Sequence, residues 1–209
     1  AIRQPESLDS EDRVCFSFSR LGISLREIGT NRIALGYTLA AGFIFGAFLS
    51  YLTCSQQVFQ EVYGVVATFP VYFGILALAI GLASLTNGRL VQRLGMRVLA
   101  RRASTGLAIL STAFVAITYW IDGGPPLWGL MAYFLPAFFC LGIMFGNLNA
   151  LAMAPLGHIA GLGATVVGSL STFISVPLGT LVGQSFDGTV MPLLGGFALF
   201  SFIATVIIH

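Results

Sequence analysis

Apolar positions in this chain run in long unbroken stretches, with neither the alternation of a half-buried strand nor the stripe of a surface helix. Charged residues mark the limits of each stretch. Twenty-eight residues separate Arg32 from Glu61, 27 separate Glu61 from Arg89, and 19 separate Arg102 from Asp122. About 20 apolar residues in a helix cross a bilayer, so each interval holds one span. The 64 residues between Asp122 and Asp187 contain no acidic or basic side chain except His158, enough for two spans with a break near 155–163. A sixth span fits after Asp187. The predicted spans are 33–54, 67–86, 103–121, 127–150, 163–183 and 190–209. Helix is predicted because backbone in lipid must satisfy its own hydrogen bonds, and runs of this length lack the dyad pattern of barrel strands. The expected fold is an all-α membrane protein: a six-helix transmembrane bundle over 33–209, preceded by a segment at 1–32.

Composition strengthens that picture. Only 9% of the 209 residues are charged and 56% are hydrophobic, with mean hydropathy +0.91; a soluble domain is about 25% charged. A soluble helical core would need charged outer faces, and these stretches have none. Net charge is +2, all ten basic residues are arginine, and a nucleic-acid partner is not expected. Cys15, Cys54 and Cys140 show no metal-ligand spacing and read as free thiols.

The arginines give an orientation. Five lie in residues 1–32 and five between Arg89 and Arg102, whereas the loops after the first, third and fifth spans carry Glu61, Asp122 and Asp187 and no arginine. The positive-inside rule places 1–32, 87–102 and 151–162 in the cytoplasm, and with them both chain ends. Phe18, Leu21, Leu25 and Ile28 recur at helical spacing, as in an amphipathic helix at the interface; an unstructured linker is the alternative. The first residue is Ala and no signal peptide is recognisable, so the chain is expected to begin partway through a longer protein.

Between the second and third spans lies Asn87-Gly-Arg-Leu-Val-Gln-Arg-Leu-Gly-Met-Arg97. Gly88 and Gly95 permit a tight exit and re-entry, and Arg89, Arg93 and Arg97 share one side if the segment is helical. Arginines snorkelling to lipid phosphates account for the charge but not for the glycines. The pattern, with Gly88, Arg93, Gly95 and Arg97 in matching places, resembles the cytoplasmic loop motif of the major facilitator superfamily; Gln92 stands where that motif usually has Asp. Four further segments resemble the bicyclomycin and chloramphenicol type of drug:proton antiporters. They are Arg3-Gln-Pro-Glu-Ser-Leu8, Asn31-Arg-x-x-Leu-Gly-Tyr37 with Gln60-Glu-Val-Tyr-Gly64, and Ala160-Gly-Leu-Gly-Ala-Thr-Val-Val-Gly168. The resemblance covers nearly the whole chain but only the C-terminal half of such a transporter. Ser55-Gln56 and Leu148-Asn149 depart from the family's usual Ser-Pro and Pro-Asn.

The resemblance implies that the first, second, fourth and fifth helices line a central cavity and that the third and sixth face lipid. Candidate cavity residues are then Phe45, Phe48 and Tyr51; Phe69, Tyr72 and Phe73; and Phe138, Phe145 and Asn149, the last three sharing a face by their offsets of seven and four. It also implies a bacterial inner-membrane location, an N-terminal six-helix half as partner, a small-molecule substrate and a proton gradient as driving force, with no cofactor. An apolar aromatic wall suits uncharged amphipathic drugs. A metabolite carrier of the same superfamily, or a non-transporting half acting as scaffold, are the competing readings. No nucleophile–base pair, metal cluster or carboxylate lies within the spans, so an enzyme is not expected and any proton-titrating group belongs elsewhere. Gly42/Gly46, Gly142/Gly146 and Gly179/Gly183 have the spacing of close helix packing. Pro70, Pro136 and Pro177 fall inside predicted spans and would bend them.

Overall fold

The computed structural model describes Gly22 and residues 26–121 and 124–209. Arg3–Leu8, most of the expected amphipathic segment (Phe18, Leu21 and Leu25), Cys15 and Asp122 lie outside the described residues. Six long helices follow in order: α1 (Arg32–Gln57), α2 (Phe69–Leu94), α3 (Met96–Tyr119), α4 (Leu127–Met153), α5 (Ala160–Gln184) and α6 (Met191–Ile208). No strand occurs among the described residues. Five helical runs are long and apolar enough to cross a membrane; one of them, Leu127–Gln184, is interrupted by a 3-10 turn at Ala154–Ile159, where Leu156 leaves helical geometry, and so supplies both α4 and α5. The chain is an all-α membrane bundle.

The helices form two layers. A row of α2, α4, α1 and α5, each packed on the next, is backed by α3 against α4 and α6 against α1, with α3 and α6 also in contact. Outward faces are apolar: Leu78 and Leu85 on α2, Phe173 on α5 and Phe202 on α6 are each more than half exposed. A water-soluble bundle could not present such surface, whereas lipid solvates it without cost.

Glycine sets the closest contact. On α1, Gly42 and Gly46 receive Ile174 and Leu178 of α5; on α5, Gly179 and Gly183 receive Leu49 and Thr53 of α1. A Cβ added at Gly179 would lie 2.6 Å from that of Leu49. The Thr53 hydroxyl donates across this seam to the Gly179 carbonyl (3.1 Å), so a polar group also finds its partner there. Gly142 receives α2 in the same way, beside the Ile80 carbonyl and Ala83, but Gly146 touches nothing within 4 Å, so the expected pair at α4 is a single close contact.

Two further expectations change. Pro70 sits in the first turn of α2, where its missing N–H was unpaired in any case, and bends nothing; Pro136 and Pro177 are interior to α4 and α5. The connection between α2 and α3 is one residue, Gly95, at φ 79°. Gly88 and Arg89 are already within α2, and only Gly95 serves the turn, because a side chain is strained at that φ.

The chain before α1 is tied to the α4–α5 connection. Asn31 caps α1 by accepting from the backbone of Ile33 (3.0 Å) and Ala34 (3.1 Å). Ile28 is buried against Ala34, Leu156, Val166 and Val167, and Glu27 lies 2.7 Å from His158.

Candidate functional site

Helices α1, α2 and α4 converge on a continuous aromatic assembly. Phe45 of α1 stacks on Phe145 of α4 with ring centroids 4.6 Å apart, and Phe48 meets both Phe145 and Phe138 edge-on at 5.4 and 6.0 Å. One turn along α1, Tyr51 meets Phe138 edge-on at 4.7 Å and stacks on Phe73 of α2 at 5.8 Å. Phe73 leads to Phe69 (5.9 Å), and Phe59, just beyond α1, joins Phe69 to Tyr72. Offset and edge geometries of this kind place the positive rim of one ring on the negative face of the next.

Eight of the nine candidate cavity residues therefore stand in one network. They differ in depth: Tyr51 and Phe138 are buried, Phe45, Phe48, Phe69, Tyr72 and Phe145 are half-buried, and Phe73 is exposed. Asn149 stands apart, its amide donating to the Phe145 carbonyl of its own helix (2.9 Å). No acidic or basic side chain belongs to this network.

Four aromatics that periodicity did not single out complete the packing. Phe134 and Phe197 surround Phe138 and Tyr51 from behind, and Phe59 closes the outer end. Phe114 of α3 stacks on Tyr133 of α4 at 4.5 Å and 6°, so this face of α3 turns inward and away from lipid. The Tyr133 hydroxyl pairs with Ser111 at 2.9 Å, a buried polar contact within the α3–α4 interface.

A second polar contact locks α2 to α4. Asn147 donates to Asn87 (2.7 Å) and to its own Ile143 carbonyl (2.9 Å), and the Asn87 amide returns toward Asn147 at 3.4 Å. Asn147 is buried and Asn87 half-buried, so breaking the pair is costly chiefly for Asn147, whose amide would lose its cross-helix partner. Asn147 is off the Phe138–Phe145–Asn149 face, which is why the offsets pointed elsewhere; the signal was an Asn in the final turns of each of two neighbouring helices.

The motif arginines divide between two helices. Arg89 and Arg93 continue α2, and Arg97 begins α3 beyond the Gly95 turn, so the four-residue repeat does not make one shared side. All three are exposed, as is Gln92. Arg101 reaches the last turn of α6, its Nε 3.4 Å from the Ile208 carbonyl, a favourable place for a cation. At the opposite end, Tyr63 donates to the Pro125 carbonyl (2.8 Å), and burial pushes its phenol up to about 12. No cluster of three or more potential metal ligands occurs among the described residues.

A membrane bundle with an aromatic, uncharged convergence of helices is the class that the fold and this site define. Among curated proteins, the chain is 30% identical over 197 residues to YdgK, an uncharacterised MFS-type transporter of Bacillus subtilis. It is 25% identical over 196 residues to a bicyclomycin resistance protein homolog of Haemophilus influenzae. These alignments cover 92% and 91% of this chain and 47% of each relative, so the chain spans about half the length of the curated relatives it matches. No family model matches, and no solved structure matches. The chain is thus similar to major facilitator transporters over about half their length, consistent with a C-terminal half.

Proposed function

We propose that this chain forms half of a proton-driven exporter of uncharged, amphipathic drugs. The observation that carries the reading is the charge-free aromatic wall shared by α1, α2 and α4. Such a surface binds flat apolar molecules by area and ring contact, and it offers a phosphate no cation and a sugar few hydrogen-bonding groups. The likeness to a bicyclomycin resistance protein homolog supports a drug as the substrate class.

The wall needs an opposing surface, which an N-terminal six-helix half of the same transporter supplies; the site then lies between the halves, and access alternates as they rock. Helices α1 to α6 hold no Asp, Glu or His, so in this reading the group that takes and releases the proton belongs to that other half, and no cofactor is required. In this reading the protein lies in the bacterial inner membrane, with the arginine-bearing end of the bundle facing the cytoplasm.

Drug accumulation in cells making the full-length protein tests the reading. Phe145→Ala removes a central ring of the wall and should shift the resistance spectrum at unchanged expression. Phe202→Ala, on the outward face of α6, should leave the spectrum as it was. Equal effects at the two positions would make the aromatic assembly a packing feature alone.

A further inference from the structure

The hydroxyl of Tyr51 is buried and has no hydrogen-bond partner among the described residues. Its ring is held by Phe138 and Phe134 edge-on and by Phe73 in a stack, three neighbours that can accept no conventional hydrogen bond. In a membrane interior an unpaired polar group is costly, and phenylalanine would fill the same space without that cost. Other buried hydroxyls on α1 are satisfied locally: Thr38 donates to Ala34 and Ser50 to Gly46. Tyr51 differs because a phenol is too long and rigid to fold back onto its own helix.

One of the surrounding rings can give way. Phe73 is 36% exposed, whereas Phe134 and Phe138 are at most 2% exposed. An exposed side chain changes rotamer on the picosecond to nanosecond scale. Of the three rings around Tyr51, Phe73 is thus the one free to turn outward, which would open that side of Tyr51 to a ligand.

We infer that Tyr51 is the specificity-determining donor of the wall, and that it selects ligands carrying a neutral hydrogen-bond acceptor on a flat apolar frame, such as an aryl ketone or amide. The acceptor is neutral because no charged side chain belongs to the network to pair with an ion. The ligand accepts rather than donates because a phenol oxygen shares its lone pairs with the ring, making O–H the stronger partner. This inference rests on the cavity reading above and adds to it the chemistry that the cavity demands.

The test uses benzophenone and diphenylmethane, which share a frame and differ by one carbonyl. Each competes with the fluorescent reporter N-phenyl-1-naphthylamine for the full-length protein in lipid nanodiscs, with wild type beside Tyr51→Phe. Partition into lipid is the same for both proteins and cancels in the ratio of inhibition constants. The preference for benzophenone should fall about tenfold in Tyr51→Phe, the weight of one buried hydrogen bond. The variant keeps the ring and loses only the orphan hydroxyl, so its unliganded melting temperature should be equal or higher. An unchanged ratio, with both compounds still competing, overturns the role of Tyr51 and leaves the cavity standing. Failure of both compounds to displace the reporter from wild type overturns the cavity as well. Irradiating benzophenone on the wild-type protein gives a second measurement independent of the variant: adducts should map to α1 and α2 around Tyr51 and Phe73. Adducts confined to the outward face of α6, around Phe202, would refute the assignment.

Discussion

The two sides of α1 are built on opposite principles. Toward α5, four glycines let backbones approach until side chains of one helix touch the main chain of the other. Toward α2 and α4, large rings hold the helices apart and touch through faces and edges at 4.6 to 6.0 Å. A glycine seam has one register, because main chain cannot yield; a ring assembly can slip or turn at little cost in contact area. The same helix is therefore fixed on one side and adaptable on the other. If the ring assembly lines a substrate site as proposed, this division lets it change shape without losing its foundation.

The largest effect should come from violating the seam. In Gly179→Val, the new Cβ would meet the Leu49 Cβ at 2.6 Å and the Leu49–Ser50 main chain at 3.1–3.2 Å. The cost should be about 3 kcal/mol, the upper range for overpacking, measured as a loss of melting temperature in detergent. A variant as stable as wild type would show that α5 can move off α1, and the contrast between the two sides would fail.

Next comes a comparison within α4. Gly142→Ala adds a methyl 2.8 Å from the Ile80 carbonyl and should destabilise by about 2 kcal/mol. Gly146→Ala adds one to open space, and alanine's better helix propensity should stabilise by up to about 1 kcal/mol. Equal melting temperatures for the two variants would mean that the α2–α4 approach is not set by contact at Gly142.

The smallest effect belongs to the rim where α1 ends. Burial raises the folded Tyr63 pKa from 10.0 to about 12, so the neutral phenol donating to Pro125 is the favoured form. Its contribution is complete below pH 10 and is lost as pH climbs toward 12. The phenolate absorbance missing in Tyr63→Phe should therefore develop near pH 12; development near pH 10 would place that hydroxyl in open solvent.

Much of this was legible in the residues, and what was not has a physical cause. Charge spacing marked out the long apolar stretches because lipid excludes ions along the whole length of a crossing helix. Four-residue glycine spacing identified Gly42, Gly46, Gly179 and Gly183 as packing positions, yet could not say that the two pairs face each other. Periodicity tells which residues share a face of one helix, and nothing about which helix that face meets. The same gap hid the inward turn of Phe114, the positions of Phe59, Phe134 and Phe197, and the Asn87–Asn147 pair. Helix ends were obscured for another reason: arginine is a good helix former whose long stem reaches water from within the last turns, so α2 runs on through Arg93 where charge suggested a loop.

The one-residue connection at Gly95 has a mechanical consequence. Two rods of about 39 and 36 Å joined by a single pivot cannot slide past one another; each can only swing about the shared point. Because α2 is clasped to α4 through Asn87 and Asn147 close to that pivot, a push on the far end of α2 acts on a long arm against a short one. Any swing of the helix about that point would be largest at its aromatic end and smallest at its arginine-bearing end.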